Sequence, residues 1–145
     1  MGMIFPLQLI NLCYREQGLI VAKGNPKGIG LSLWRFCLSA GSAEQGGESR
    51  IGSNENPWRR GPCFLNADGN YDWSKYEGQR WFLSAAIERG VEKLLAFTNS
   101  PPVYFTKNGQ AFAPEGEVHL NLKPGYMDDY AGYMADVIGH FNDQG

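Results

Sequence analysis

The sequence has no excess of charge of either sign and no long apolar run. Its 145 residues include 13 Lys and Arg against 15 Asp and Glu, so no basic surface is available for phosphates, and we expect no nucleic-acid partner. The apolar amino terminus lacks a basic segment and a cleavage site, and it is shorter than the about 20 residues that cross a bilayer. We therefore expect no membrane partner and interpret residues 1–27 as a leader and helix of the fold.

Cysteine and histidine are also scarce. Cys13, Cys37 and Cys63 show no C-x-x-C spacing, and His119 and His140 have no partner at metal-ligand spacing. Metal sites in proteins are built from such clusters. We therefore expect no structural metal and no other cofactor, and one thiol must be unpaired.

Strands and helices alternate along the rest of the chain. Short apolar runs at 31–38 and 91–98 predict two parallel strands that are buried on both faces. The capping-box spacing of Ser74 and Glu77 predicts a helix over 74–90, and an apolar stripe from Tyr130 to Phe141 predicts another over 126–142. The order strand, helix, strand, helix indicates an α/β fold with parallel strands.

Two loops leave the carboxyl ends of the predicted strands. The first, 41–73, is far longer than the about 2 to 6 residues usual at this position in α/β units. It is rich in Gly, Asn and Ser but has aromatic anchors such as Trp73, so we interpret it as an ordered substrate-binding loop. The second loop is 99–109. Because ligands bind at the carboxyl ends of parallel strands, we expect both loops to share a site.

Polar and aromatic residues at these strand ends are the candidates for binding. Arg35, a permanent charge in an apolar strand, meets either a carboxylate of the fold or a polar ligand. Glu44 binds a sugar hydroxyl or makes hydrogen bonds within its own loop, and the absence of a second carboxylate at a strand end argues against a catalytic role. Asn99 and Tyr104 suit a sugar, but a turn cap and rim packing explain them equally well. The substrate-binding candidates are Arg35, Glu44, Trp73, Asn99, Ser100 and Tyr104.

Three segments, in order, resemble a known family of enzymes. GIGLSLWRFCLSAGSAEQG, YDW and LLAFTNSPPVYFTKNGQA are similar to the amino-terminal half of family 30 glycoside hydrolases, particularly the endo-β-1,6-galactanase-like branch. The resemblance begins near Gly28 and implies a partial (β/α)8 TIM barrel with strands two and three. Since a complete barrel has about 250 residues, we expect strand one and strands four to eight to lie outside this chain.

The resemblance also implies a function. Family members are retaining O-glycosyl hydrolases of β-linked glycans, and the two catalytic Glu residues, after strands four and seven, are expected outside residues 1–145. Arg35 corresponds to the arginine beside the nucleophile, and Asn99, Ser100 and Pro101 to the turn that lines a sugar subsite. On this basis the chain binds an oligo- or polysaccharide, is inactive alone, and belongs to a secreted family.

The sequence departs from the family pattern at a few positions. Cys37 and Ser39 stand where Asn and Gly are expected, and Tyr104 and Phe105 stand where Trp and Met are expected, so the substrate preference stays open. Two other interpretations also stay open, a non-catalytic glycan-binding domain and a non-functional truncated gene product. An open piece of parallel sheet further predicts self-association through exposed strand edges.

Overall fold

The structure is a computed structural model that describes residues 31–45, 60–113, 116 and 120–144. The predicted leader, 1–27, and the middle of the first loop, 46–59, lie outside the described residues. The chain divides into two compact units, Met1–Phe36 with Gly78–Leu95 and Cys37–Glu77 with Ala96–Gly145. The elements are β1, Leu33–Cys37; α1, Glu77–Glu88; β2, Lys93–Phe97; a 3-10 turn, Val103–Phe105; and α2, Met127–Asn142.

The two strands form one parallel sheet. The Lys93 amide donates a hydrogen bond to the Ser32 carbonyl at 3.1 Å, and the Leu38 amide donates one to the Phe97 carbonyl at 2.8 Å. The partners advance in the same direction along both strands, which defines a parallel pair, and α1 is the crossover between them. The predicted α/β class is confirmed, and the arrangement is consistent with part of a barrel.

The prediction that both strands are buried on both faces is wrong for this chain. Along β1, Phe36 is buried and Trp34 is half-buried, whereas the intervening Leu33 and Arg35 are exposed. Successive side chains of a strand point to opposite faces. One face is covered where Trp34 stacks on Phe82 of α1, with ring centroids 5.6 Å apart. Arg35, predicted to be embedded among apolar residues, therefore lies on the exposed face.

β2 is exposed as well. Leu94 and Leu95, the middle residues of the strand, are 48% and 47% exposed. Parallel strands become buried on both faces only where helices cover both sides of the sheet. Within the described residues of the first unit, the core that covers the sheet contains Ala85, Ala86 and Val91 on the α1 side.

The start of α1 differs from the prediction, and its end agrees with it. The Ser74 hydroxyl bonds to the Asp72 carboxylate at 2.5 Å, and α1 begins only at Glu77, so the predicted capping box does not form. Gly90 has φ 73, and the bonds from the Gly90 amide to the Ile87 carbonyl and from the Val91 amide to the Ala86 carbonyl complete a Schellman motif. Glycine ends this helix because the left-handed position carries no Cβ penalty.

The helix predicted for 126–142 forms at Met127–Asn142. Tyr130, Tyr133 and Val137 from the predicted apolar stripe are buried, whereas Ile138 is 41% exposed. Asp128 and Asp129 lie in the first turn, where negative charge is favoured by the helix dipole. In the part of the chain that the structure describes, no helix has both the length and the apolar character needed to cross a membrane.

Candidate functional site

The described ends of the first loop are joined to each other in the second unit. The Ala43 amide donates to the Gly61 carbonyl at 3.1 Å, and the Gly61 amide donates to the Ser42 hydroxyl at 2.9 Å. Gly41 begins the loop with φ 79, and a Cβ there would lie 2.4 Å from Glu44 Oε2. Only glycine fits this turn without displacing the Glu44 carboxylate.

Glu44 and Lys75 form the centre of a polar network between these segments. The Cys63 amide donates to Glu44 Oε1 and Oε2 at 3.2 and 3.0 Å. Lys75 Nζ donates to Glu44 Oε1 at 2.8 Å, to the Cys63 carbonyl at 3.0 Å and to Asn66 Oδ1 at 2.8 Å. We call Glu44, Cys63, Asn66 and Lys75 the loop latch. Of the two roles considered for Glu44, hydrogen bonding within its own loop is therefore the one that the geometry displays.

Glu44 stabilises the charged form of Lys75. Burial lowers the pKa of Lys75, but the hydrogen bond and the negative charge of Glu44 outweigh this effect and raise the pKa above its ordinary value. Each side chain of the pair is 22% exposed, so the pair is only partly shielded from water. The ammonium group stays protonated at neutral pH and keeps all three of its donors for the latch.

The two predicted loops contact each other. The Cβ position of Gly41 in the first loop lies 3.2 Å from Val103 Cγ2 in the second. The Val103 amide donates to the carbonyl of Ala40, the residue before the first loop, at 2.8 Å, and the amide of Ala111, just beyond the second loop, donates to Gln45 Oε1 at 2.7 Å. Tyr104 packs against the apolar cluster of Ala40, Val103 and Ala111. Burial, followed by the nearby Glu44 carboxylate, raises the pKa of the Tyr104 phenol. Glu44 and Tyr104, far apart in the sequence, therefore lie close together beside the strand ends.

The turn after β2 presents one polar side chain outward and one inward. Asn99 is exposed, whereas Ser100 is 8% exposed and its hydroxyl donates to the Pro101 carbonyl at 3.1 Å. Pro101 and Pro102 are buried below it. Asn99 is thus available to a ligand, while Ser100 contributes to the turn itself.

Tyrosines of α2 hold the ends of both strands. Tyr130 Oη forms a short hydrogen bond with Thr98 Oγ1, directly after β2. Tyr133 Oη lies 2.5 Å from the Leu38 carbonyl and 3.1 Å from the Ser39 carbonyl, directly after β1, and the Cys63 thiol donates to it at 3.5 Å. Burial, then the Cys63 sulfur, raises the pKa of Tyr133. The carboxyl ends of the strands are therefore fixed by one helix.

Trp73 belongs to an aromatic cluster. Its ring stacks on Tyr71 at 4.7 Å and 1° and on His140 at 3.7 Å and 6°, and it meets Phe141 edge to face. The Tyr71 hydroxyl donates to Asp136 Oδ2 at 2.7 Å. These stacks take up ring surface that a sugar would use, so they favour a packing role for Trp73. Sugar binding by Trp73 stays a prediction.

Two residues beside the end of β1 adopt the left-handed backbone although they are not glycine. Ser39 has φ 59 and Tyr76 has φ 61, and a Cβ at Gly61 would lie 2.7 Å from Ser39 Oγ and 2.9 Å from Tyr76 Oη. The Tyr76 hydroxyl bonds to the side chains of Ser39 and Cys37, and burial, then Cys37, raises its pKa. Such strain costs about 1–3 kcal/mol and is found most often at functional sites. The positive φ of Ser39 also gives a reason for the glycine that the family pattern is expected to have at this position, because glycine adopts such a φ without strain.

The structure thus brings Glu44 and Tyr104 together and places Asn99 and Ser100 after β2 in the same unit. Arg35 belongs to the first unit, where it lies on the exposed face of β1. Sequence reasoning missed Lys75, whose three partners are 31, 12 and 9 residues away. No local pattern marks such a residue. Among the described residues, no group of three or more His, Cys, Asp or Glu side chains could hold a metal ion.

Comparison with known proteins gives two findings. The sequence profile of O-glycosyl hydrolase family 30 matches residues 17–145. The fold is similar to that of a solved conserved exported protein from Bacteroides fragilis, with a TM-score of 0.78 and 34% identity over 95% of this chain and 27% of that chain. The chain therefore spans little more than a quarter of that protein's length. No curated protein gives a significant match.

Proposed function

The chain belongs to O-glycosyl hydrolase family 30, and from this membership we propose that it is the substrate-binding part of a (β/α)8 barrel that hydrolyses β-linked glycans. The observation that carries the proposal is the placement of both loops after the carboxyl ends of two parallel strands, with hydrogen bonds that join each loop to a residue flanking the other. This is where (β/α)8 barrels bind their substrates.

The reaction we propose is a double displacement with retention. It requires a nucleophilic carboxylate and an acid/base carboxylate about 5–5.5 Å apart. Glu44 does not suit either role, because both of its oxygens accept hydrogen bonds and one of them is paired with Lys75. The catalytic pair is then supplied by polypeptide beyond residues 1–145, and this chain alone does not turn over substrate.

The roles proposed for this chain concern binding. Asn99 offers an exposed amide directly after β2, and Tyr104 offers a half-buried ring supported by the cluster of Ala40, Val103 and Ala111. Arg35 holds a carboxylate of the complete site with its planar guanidinium group. A β-1,6-galactan-like glycan is the proposed substrate, on the resemblance of the strand and loop segments.

The proposal is tested by a reducing-sugar assay on β-1,6-galactan with the product of the complete gene and with residues 1–145 alone. We expect turnover by the complete protein only. Asn99→Ala in the complete protein should raise KM about tenfold, the effect of one lost hydrogen bond to a sugar. Asn142→Ala, at an exposed asparagine in the last turn of α2, is the matched control and should leave KM unchanged.

The assay also separates the proposal from its alternative. Turnover by residues 1–145 would show that their own carboxylates suffice, and Glu44 would become the first suspect. Binding of galacto-oligosaccharides by the complete protein without any turnover would contradict hydrolysis and support a non-catalytic glycan-binding domain.

A further inference from the structure

All three hydrogen-bond donors of the Lys75 ammonium group are used within the protein. An ammonium group has three N–H donors, and all three find acceptors on the first loop, namely Glu44 Oε1, the Cys63 carbonyl and Asn66 Oδ1, at 2.8, 3.0 and 2.8 Å. Surface ion pairs that involve a single contact contribute little. An ammonium group whose three donors reach both described segments of the loop, 41–45 and 60–73, is instead suited to fixing their relative positions.

The three acceptors come from different parts of the loop. Glu44 lies near the start of the loop, and Asn66 opens a short hairpin in which its amide bonds to the Asn70 carbonyl at 2.8 Å. Cys63 is joined to Glu44 through its amide and to Lys75 through its carbonyl. One nitrogen atom, Lys75 Nζ, bonds to all three acceptors. It therefore adds a second connection between the described ends of the loop, beside the hydrogen bonds that join those ends directly.

The latch is continuous with the wall that carries Tyr104. The Cβ position of Gly41 lies 2.4 Å from Glu44 Oε2 and 3.2 Å from Val103 Cγ2, so the Glu44 carboxylate and Val103 pack on the same glycine. Val103 is part of the cluster on which the Tyr104 ring rests. A displacement of Glu44 would therefore be transmitted to the ring through two packed contacts.

We propose that Lys75 is a positioning residue that fixes the two described ends of the first loop and thereby orients the Tyr104 ring for a sugar of the substrate. The inference rests on the proposed function. Lys75 itself contacts no substrate; its compact ammonium group suits three convergent acceptors, whereas the planar fork of arginine suits a bidentate partner. Lysine is thus specifically required at this position.

The first arm of the test measures the latch without activity. Lys75→Met keeps the side-chain length and removes the ammonium group. In amide hydrogen exchange, the Cys63 amide, which donates to Glu44, should exchange about tenfold faster in this variant. Lys93→Met, at an exposed lysine of β2, is the matched control and should leave Cys63 exchange unchanged.

The second arm measures positioning in the complete protein. Lys75→Met should raise KM about tenfold with kcat within about twofold, because ground-state and transition-state binding to Tyr104 are lost together. A purely structural role would reduce the amount of active enzyme and leave KM unchanged. Lys75→Arg should recover only part of the loss, and Lys75→Met should add little in a Glu44→Gln background, since the two changes remove one interaction.

Several results would overturn the proposal. Unchanged exchange at Cys63 would show that Lys75 does not hold the loop, and faster exchange with an unchanged KM would show that the latch does not position the binding surface. Full recovery by Lys75→Arg would remove the requirement for lysine. Absence of turnover by the unsubstituted complete protein would instead refute the proposed hydrolysis. The role of Lys75 in the latch would then be decided by the amide exchange rate of Cys63 alone.

Discussion

Replacing Tyr133 by phenylalanine would remove one oxygen atom from the interior of the second unit and leave the ring in place. Tyr133 is 1% exposed. Its hydroxyl lies 2.5 and 3.1 Å from the carbonyls of Leu38 and Ser39, and it accepts a hydrogen bond from the Cys63 thiol. The substitution therefore removes a partner from the Cys63 thiol and from the carbonyls of Leu38 and Ser39. All three groups would lose it in the buried interior of the unit.

The size of the effect follows from these contacts. A typical hydrogen bond contributes about 0.5–1.5 kcal/mol net, whereas a buried polar group left without a partner costs about 1–3 kcal/mol. One hydroxyl proton serves both carbonyls, and the thiol contact is long, so we expect the free energy of unfolding to fall by about 2 kcal/mol. With a denaturant slope of about 2 kcal/mol/M, the urea midpoint would fall by about 1 M.

Urea unfolding monitored by tryptophan fluorescence measures this difference. Tyr126→Phe is the matched control, because Tyr126 precedes α2 with 37% of its surface exposed and surface substitutions change stability by about 0.5 kcal/mol or less. Equal midpoints for Tyr133→Phe and Tyr126→Phe would refute the reasoning. The Ser39 and Ala40 amides should also exchange faster in Tyr133→Phe, since the end of β1 loses its link to α2.

Three further predictions concern Gly41, the Cys63 thiol and the exposed leucines of the sheet. Gly41→Ala should destabilise the chain by about 2 kcal/mol more than Gly69→Ala in urea unfolding, because both positions have positive φ but only Gly41 has neighbours within 4 Å of the new Cβ. Burial raises the pKa of the Cys63 thiol above its ordinary value of 9.0, so the unfolded chain releases this proton first. Stability measured by urea unfolding should therefore fall as the pH rises past about 9, and it should fall less in Cys63→Ala. Sedimentation of residues 1–145 should show self-association through the sheet that carries Leu94 and Leu95, and a monomer at all concentrations would contradict this.

Periodic patterns predicted the helices better than the strands. The α2 stripe from Tyr130 to Phe141 extends over about three turns, so one exposed position such as Ile138 does not obscure it. A five-residue strand gives a weaker signal: the apolar run around Arg35 is also compatible with a strand that is covered on one face only. The capping box at Ser74 failed for a local reason, since the Ser74 hydroxyl bonds to the Asp72 carboxylate and the helix begins only at Glu77.

The positions of the two loops could be predicted from the topology of the sheet. The hydrogen-bond partners of the side chains around them could not. Parallel strands place their carboxyl ends at one edge, and both loops leave from that edge in the structure; that they share a site stays a prediction. For Glu44 the sequence left two roles open, binding a sugar hydroxyl or hydrogen bonding within its own loop, and only the second is visible in the structure. The sequence could not identify Lys75 or Tyr133, because their partners are fixed only once the chain has folded: Tyr133 and Leu38 are 95 residues apart.

The geometry of the described parts of the two loops is determined locally, even though the chain covers only 27% of its solved relative. Every member of the loop latch, and the Tyr133 contacts with Leu38 and Ser39, belong to the second unit. The exposed residues Leu33, Leu94 and Leu95 lie instead in the first unit. Polar groups that satisfy each other need no further partner, whereas exposed leucines gain by burial. We therefore expect the described parts of the loops to keep their conformation in a longer polypeptide, while additional segments cover the leucines of the sheet.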